Sequence, residues 1–197
     1  DARNLKLLEA ILLPTTSEII KATNGMDALN IVNKTNVDLI LLDVMMPEMD
    51  VYEVCRQLKA SEATRLIPVV LLTDLDDRES KIKGIESDAD DFITKPPNKM
   101  ELLARTKSLI KLKRLNDNLA SIEYVLFSLA KTVEAKDEYT QGHVERVSQL
   151  AIALGNKMGL SDREMESLRY GGVLHDIGKI GIPDHILLKP GKLLPDE

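Results

Sequence analysis

Residues 37–43 read Val-Asp-Leu-Ile-Leu-Leu-Asp, an apolar run of strand length that stops at an aspartate. Two further runs of strand character follow at 67–72 and 91–94, and the pair Ile19-Ile20 suggests a short additional strand. Between them, apolar residues recur at helical spacing, over 4–12, 26–32, 51–59 and 76–86. Strands that alternate with helices predict an α/β domain with a doubly wound parallel sheet.

Three polar residues stand at successive strand ends: Asp43, Thr73 and Lys95. The carboxyl ends of parallel strands form the edge at which such sheets bind ligands. A nucleophilic carboxylate, a hydroxyl that binds a phosphoryl oxygen and an ammonium that neutralises charge together suit phosphoryl capture. Singly, a strand-end Asp is usually a cap and a strand-end Thr reflects β-propensity. The combination favours a functional site.

Three segments carry a resemblance to a known family. They are residues 39–47, Leu-Ile-Leu-Leu-Asp-Val-Met-Met-Pro, residues 71–73, Leu-Leu-Thr, and residues 92–96, Phe-Ile-Thr-Lys-Pro. Together they resemble the receiver domain of two-component response regulators, which has a flavodoxin-like fold.

This resemblance implies that Asp43 accepts a phosphoryl group from a cognate histidine kinase, with Thr73 and Lys95 beside it. It also implies Mg²⁺ held partly by Asp43 and by the backbone carbonyl of Met45. Phe92 would be an aromatic switch, and the bond between Lys95 and the following proline would be cis.

The sequence departs from the receiver pattern at several positions. The family's first strand ends in two acidic residues that hold the Mg²⁺, and this sequence has neither. We therefore expect the natural protein to begin earlier, and we assign 1–98 to a receiver domain that lacks its first strand. Val51 and Asp88 each stand where the family usually has glycine. Asp74 replaces a usual small residue and adds a carboxylate beside the expected phosphorylation pocket.

From Pro97 onward the sequence predicts one long helix, of which 99–122 form a connector with a heptad seam. Its apolar residues are spaced alternately by three and four over three repeats, the pattern of a two-stranded coiled coil. We favour a parallel homodimer through this helix over an amphipathic helix that lies on its own domain. The later seam residues are also expected to serve the next domain's core. The seam consists of Leu112, Leu115, Leu119, Ile122, Leu126, Leu129 and Val133.

Residues 123–197 are predicted to form an all-α region. His143 begins a helix over 143–158, and a second helix, opened by a capping box at Ser161 and Glu164, ends at His175-Asp176. Neutral imidazole and carboxylate suit Zn²⁺, Mn²⁺ or Fe better than Ca²⁺. Alone this motif is weak, because a histidine on a helix is more often structural.

A wider pattern adds specificity. Residues 133–137, Val-Glu-Ala-Lys-Asp, residues 140–147, Thr-Gln-Gly-His-Val-Glu-Arg-Val, and residues 174–184, Leu-His-Asp-Ile-Gly-Lys-Ile-Gly-Ile-Pro-Asp, resemble the HD-GYP domain. This is a subgroup of the HD metal-dependent phosphohydrolases, and we assign 123–197 to its N-terminal part. The family hydrolyses cyclic di-GMP.

By resemblance, His143, His175 and Asp176 are ligands in a cluster of two or three transition-metal ions such as Fe or Mn, with Asp176 bridging two of them. Lys179 contacts a substrate phosphate, and Arg146 is a further candidate to offset its charge. Some family members have a carboxylate four residues before the first histidine. Tyr139 stands there in this sequence, which favours two metals.

The family's remaining ligands and its Gly-Tyr-Pro loop would lie after Glu197, so we expect the natural protein to continue. Two interpretations stay open. One is a response regulator whose receiver controls a metal-dependent cyclic di-GMP phosphodiesterase that makes a linear product. The other is a catalytically inactive signalling scaffold whose HD-GYP domain binds a ligand or a protein partner without turnover.

Composition excludes some other classes. A formal net charge of −6 and the lack of a helix-turn-helix pattern argue against DNA binding and a transcription factor. The apolar run at 39–42 is too short to cross a bilayer. Cys55 is the only cysteine, so no intrachain disulfide forms and we expect a cytoplasmic protein.

Overall fold

The computed structural model describes residues 2–14, 18–46, 49–74, 83–136 and 142–196. It separates into two compact units, Asp1–Asn118 and Leu119–Glu197. The first unit is α/β and the second is helical. No helix among the described residues combines the length and the apolar character needed to cross a membrane.

The first unit alternates helices and strands, as predicted. The three strands of its described residues are parallel and lie in the order β1-β2-β3, with Ile40 opposite Val69 and Thr73 opposite Thr94. Its elements are α1 (Ala2–Leu12), α2 (Gly25–Val32), β1 (Ile40–Asp43), α3 (Val51–Ala60), β2 (Val69–Thr73) and β3 (Asp91–Thr94).

The sheet is covered on both faces. Every residue of the central strand β2 is buried. Its side chains alternate between two core clusters, because neighbouring strand residues point to opposite faces. Leu71 packs with α3 residues such as Val54, whereas Val70 packs with Leu8 of α1 and with Leu102 further along the chain. The prediction of a doubly wound sheet is therefore confirmed.

The strand predicted at Ile19-Ile20 is wrong, because these residues have no regular secondary structure. A strand needs a neighbour for its ladder of hydrogen bonds, and the sheet of the described residues ends at β1. The helix predicted over 76–86 falls partly outside the described residues. Its described part, residues 83–86, is helical.

Two departures from the receiver pattern have clear structural outcomes. Val51, at the start of α3, is only 2% exposed and belongs to the core. Asp88 adopts a φ of 60°, the left-handed region that glycine favours. Val51 therefore fills space in the core, whereas Asp88 holds a backbone conformation that is sterically unfavourable for a residue with a Cβ atom.

One helix, α4 (Lys99–Glu134), follows β3 and extends beyond the connector predicted at 99–122, and we call the whole of α4 the connector helix. Its 36 residues make it about 54 Å long. Asn98 caps its start, since the Asn98 side chain accepts a hydrogen bond from the Met100 amide at 2.9 Å. Of the seven seam residues, Val133 alone is buried and the other six are exposed.

The described part of the second unit contains the last part of α4 and three further α-helices, with a 3₁₀ turn at Ile177–Gly181 between the last two. These helices are α5 (His143–Met158), α6 (Asp162–Leu174) and α7 (Asp184–Leu187). Gly159 ends α5 with a left-handed φ of 69°. The predicted capping box opens α6, because Glu164 accepts a hydrogen bond from the Ser161 amide at 2.8 Å.

Helices α5 and α6 pack closely where Gly172 faces Ser148. A Cβ atom built on Gly172 would lie 2.9 Å from the Ser148 Cα. Glycine thus permits a backbone approach that any larger residue would widen. This close contact places the start of α5 beside the end of α6.

Candidate functional site

In the first unit, Asp43 and Lys95 converge at the carboxyl edge of the sheet. Asp43 ends β1 and Lys95 follows β3, and the Lys95 ammonium donates to Asp43 Oδ1 at 2.5 Å. Both side chains are mostly buried, with 17% and 15% of their surfaces exposed. The ion pair is therefore formed in a partly desolvated site where it is stronger than at an open surface.

Further donors surround the Asp43 carboxylate. The Met45 amide donates to Asp43 Oδ1 at 2.9 Å, and the Asn4 side chain also forms a hydrogen bond with the Asp43 carboxylate. Burial alone raises the pKa of Asp43, but the hydrogen bonds from Lys95 and Met45 outweigh it and hold the pKa below its ordinary value. The carboxylate is therefore ionised at neutral pH, as a nucleophile must be.

Thr73 ends β2 between these two strands and is fully buried. Its Oγ1 is the one buried side-chain polar atom in the described part of the chain that lacks a hydrogen-bond partner. Buried polar groups are normally paired, so this hydroxyl fits an oxygen atom supplied by a ligand.

Phe92 and Asp74 lie near the same edge. The Phe92 ring packs so closely against Gly84 that a Cβ there would lie 2.3 Å from the ring. Phe92 is half-buried against the core of the sheet, whereas Asp74 is exposed directly after β2. The structure thus brings Asp43, Thr73 and Lys95 together, with Phe92 on the adjoining strand.

The donors at this edge fit Mg²⁺ in part. Asp43 supplies one carboxylate, and Mg²⁺ bound by one or two carboxylates keeps several of its waters. Among the described residues, Asp43 belongs to no group of three or more converging His, Cys, Asp or Glu ligands. The expected Met45 carbonyl remains a predicted ligand.

In the second unit, three potential ligands meet. His143 Nε2 lies 3.2 Å from His175 Nε2, and the two rings are edge-to-face with centroids 5.2 Å apart. Asp176 Oδ2 lies 3.5 Å from His175 Nε2. The three ligand atoms lie within 4.8 Å of one another, and this is the only such group of three in the described residues.

Neighbouring groups orient these ligands. His175 Nδ1 lies 2.9 Å from the Gly172 carbonyl oxygen, which leaves Nε2 facing His143 and Asp176. A histidine that binds metal usually has its other ring nitrogen held in this way. Lys179 donates to Asp176 Oδ2 at 2.9 Å. This hydrogen bond is the main cause that holds the pKa of Asp176 below its ordinary value, and it keeps the carboxylate ionised.

This donor set fits a transition metal. Two imidazole nitrogens and a carboxylate suit Fe, Mn or Zn, and their ligand atoms already converge. Three protein ligands can hold one ion with open positions.

Comparisons with known families agree with this geometry. A model of the response regulator receiver domain matches residues 1–107, more than half of the chain. The chain belongs to the response regulator receiver family. A model of the HD domain matches residues 140–197, so this response regulator also carries an HD domain. Receiver and HD domains both bind divalent metal ions in general.

Two curated relatives match most of the chain. The cyclic di-GMP phosphodiesterase response regulator RpfG of Xanthomonas campestris is 36% identical over 191 residues, which cover 87% of this chain and 50% of that protein. A cyclic di-GMP phosphodiesterase of Thermotoga maritima is 38% identical over 207 residues, which cover 91% and 55%. The chain therefore spans about half the length of these curated relatives.

Solved structures agree on the receiver fold. A signal receiver domain of a histidine kinase from Syntrophus aciditrophicus is 40% identical, with a TM-score of 0.53 over 56% of this chain and 84% of that one. A putative response regulator from Chloroflexus aurantiacus is 31% identical, with a TM-score of 0.55 over 56% and 91%.

The remaining predicted residues of the response regulator have mixed outcomes. The peptide bond between Lys95 and the following proline is cis, as expected. Arg146 lies one turn into α5 with its guanidinium over Gly142, where a Cβ would come within 2.9 Å of Nη1. Its predicted contact with substrate stays a prediction. Tyr139 lies outside the described residues.

No role was predicted for three residues near the sites: Asn4, Gly172 and Glu134, the last of which lies in the HD-GYP-like segment 133–137. Asn4 contacts Asp43 across 39 positions of chain, and Glu134 accepts a hydrogen bond from the Val144 amide. Their contacts depend on tertiary packing, which local periodicity does not reveal. The pair Gly171-Gly172 inside a helical pattern was the one available signal, since interior glycines often mark close packing.

Proposed function

We propose that the full-length protein is a response regulator whose receiver controls a metal-dependent phosphodiesterase that hydrolyses cyclic di-GMP to a linear product. The observation that carries the proposal is the convergence of His143, His175 and Asp176 within 4.8 Å, in a chain that also carries a receiver. Relatives named for this activity support it.

At the HD site, His143, His175 and Asp176 would hold the metal. Bound transition-metal ions would supply Lewis acidity and lower the pKa of a water molecule, so that a nucleophile is available near neutral pH. Lys179 has three donors on its ammonium, so it can keep its 2.9 Å hydrogen bond to Asp176 and still donate to a phosphate oxygen. Arg146 adds a second positive charge at the start of α5.

At the receiver site, the ionised Asp43 carboxylate attacks the phosphorus of a phosphohistidine on the cognate kinase. An oxygen–phosphorus bond forms and the phosphorus–nitrogen bond of the donor breaks. Lys95 neutralises charge from its position 2.5 Å away, and the unpartnered Thr73 hydroxyl binds a phosphoryl oxygen. Phe92 changes its packing in response. Mg²⁺ bound at Asp43 and the Met45 carbonyl would offset the remaining negative charge.

The connector helix joins two copies of the chain through its exposed seam. Six leucine and isoleucine side chains are exposed along one stripe of α4, and burying such side chains stabilises by about 1.5–3 kcal/mol each. Sedimentation of the full-length protein should show a dimer, and Leu119→Asp should give a monomer. A monomeric wild-type protein at micromolar concentration would exclude this seam as a dimer interface.

A binding scaffold without turnover is the second candidate. Three converging ligands can hold one metal ion with open positions, which is sufficient to bind a ligand without cleaving it. The scaffold and the phosphodiesterase would both act in the cytoplasm, where we place the protein on the basis of its single buried cysteine.

Metal content and turnover separate these two functions. The full-length protein, purified under reducing conditions, should contain transition metal and cleave cyclic di-GMP, whereas Asp176→Asn should lose both. Surface variant His185→Ala is the matched control, because His185 is exposed and outside the ligand group. A metal-loaded protein that binds cyclic di-GMP without cleaving it would support the scaffold.

A further inference from the structure

The N-terminus of α5 lacks a side-chain cap of the usual kind. Its N-cap is Gly142, in the left-handed conformation with φ 71°, and it offers no side-chain acceptor. The first four amides of a helix have no partner within the helix. His143, the first metal-binding candidate, is the first residue of this helix.

A residue from another helix supplies the missing acceptor. Glu134, the last residue of α4, accepts a hydrogen bond from the Val144 amide at 3.1 Å through Oε1. Its negative charge also complements the positive end of the helix dipole. The end of the connector helix is therefore attached to the residue that directly follows His143.

Glu134 is close to the metal-binding candidates without joining them. It lines a cavity of about 10 Å³ together with His143, Asp176 and Lys179. That volume holds one water molecule at most. Glu134 does not belong to the group of converging ligands, and its hydrogen bond to the Val144 amide attaches it to the residue after His143.

A second carboxylate on α4 contacts α6, the helix that ends at the candidate ligand His175. Glu123 accepts a hydrogen bond from Arg169 at 2.6 Å and another from the Tyr170 hydroxyl. The Arg169 guanidinium also lies over the Phe127 ring, 5.4 Å from its centroid. Arg169 and Tyr170 belong to α6, whose C-cap is His175.

The two carboxylates lie on one face of α4. Glu123 and Glu134 are eleven residues apart, which is about three helical turns. One of them contacts the helix that begins with His143, and the other contacts the helix that ends at His175. The connector helix thus touches both elements that deliver the imidazoles.

We propose that Glu134 and Glu123 are positioning residues through which the connector helix sets the separation of His143 and His175, and hence the affinity of the site for metal. The proposal rests on the proposed metal site. These contacts link the connector helix directly to the metal site, because a shift of the last turns of α4 moves the start of α5.

Metal binding by variants of the full-length protein tests this role. Glu134→Ala should weaken Co²⁺ binding by about ten- to a hundredfold, the usual effect of losing a group that orients a ligand, and should change the visible absorption bands of bound Co²⁺. Glu134→Gln keeps an acceptor oxygen and loses only the charge at the helix end, so its affinity should stay within about fivefold of wild type. Glu123→Ala should also weaken binding.

The control is Glu101→Ala, which removes an ion pair to Arg105 on the same helix but outside the second unit. Unchanged Co²⁺ affinity and spectrum in Glu134→Ala would overturn the proposal, as would a Gln variant as weak as the Ala variant.

Amide hydrogen exchange at Val144 in the wild-type protein gives a readout that needs no variant to fold. Because this amide donates to Glu134, its exchange should be slow in the metal-free protein, and fast exchange would overturn the proposal. A wild-type protein with a protected Val144 amide but no Co²⁺ binding would defeat the proposed function and leave the capping role intact.

Discussion

Replacing Gly172 by alanine tests the packing that positions the HD site. Gly172 faces α5, and an added Cβ would lie 2.9 Å from the Ser148 Cα and 3.3 Å from its Cβ. The backbone atom cannot move aside alone, so the two helices must separate. The Gly172 carbonyl oxygen, 2.9 Å from His175 Nδ1, would move with them.

Gly171 provides a matched control for the size of this effect. It is the neighbouring residue in α6, it is exposed, and a Cβ built on it meets no atom within 4 Å. Both alanine variants gain up to about 1 kcal/mol of helix propensity. Only Gly172→Ala also overpacks the interface, at a cost of about 1–3 kcal/mol. The free energies of unfolding of the two variants should therefore differ by about 1–3 kcal/mol.

Calorimetry of the thermal transition measures this difference. For a unit of this size, 1 kcal/mol corresponds to about 4–8 °C in midpoint, so Gly172→Ala should melt at least about 4 °C below Gly171→Ala. Its affinity for Co²⁺ should also fall, while that of Gly171→Ala stays at the wild-type value. Equal midpoints in the two variants would refute the close approach of α5 and α6.

Three further predictions concern other parts of the chain. Asp88→Gly should raise the free energy of unfolding of the first unit by about 0.5–1 kcal/mol, because glycine adopts a φ of 60° without steric cost; a loss of stability in urea unfolding would contradict it. The hydrogen bond from Tyr170, aided by Arg169, holds the pKa of Glu123 below its ordinary value. The stability that Glu123 contributes should therefore be complete above about pH 4.5 and be lost as the pH falls through the lower pKa of the folded state. The stability difference between wild type and Glu123→Gln should shrink from pH 7 to pH 3.5, and a difference that grew on acidification would have the wrong sign. Asp43→Asn should abolish labelling of the receiver by a small phosphodonor, and unchanged labelling would exclude Asp43 as the acceptor.

The strands were predictable because burial is encoded locally. The apolar runs that became β1 and β2 are flanked by turn residues, and a strand buried on both faces needs no alternation. The strand prediction at Ile19-Ile20 failed because strand formation there depends on a distant partner. A short apolar pair becomes a strand only when another strand lies beside it, and sequence periodicity carries no information about that partner.

The candidate sites were predictable as residue sets and not as arrangements. Asp43 and Lys95 stood at strand ends, so the parallel topology was enough to place them together. The role of Glu134 depends on where α4 ends relative to α5. The segment 133–137 that resembles the HD-GYP domain contains Glu134 but does not indicate this contact. Gly172 matters through one contact with Ser148 that only the packed helices reveal.

Metal content and product formation, measured together on the full-length protein, test the central claim most directly. The protein should contain at least one equivalent of Fe or Mn and convert cyclic di-GMP to a linear dinucleotide, with both properties lost in His175→Ala. A protein that carries the metal at His175 and leaves cyclic di-GMP intact would contradict the account, and so would turnover that survives the loss of His175.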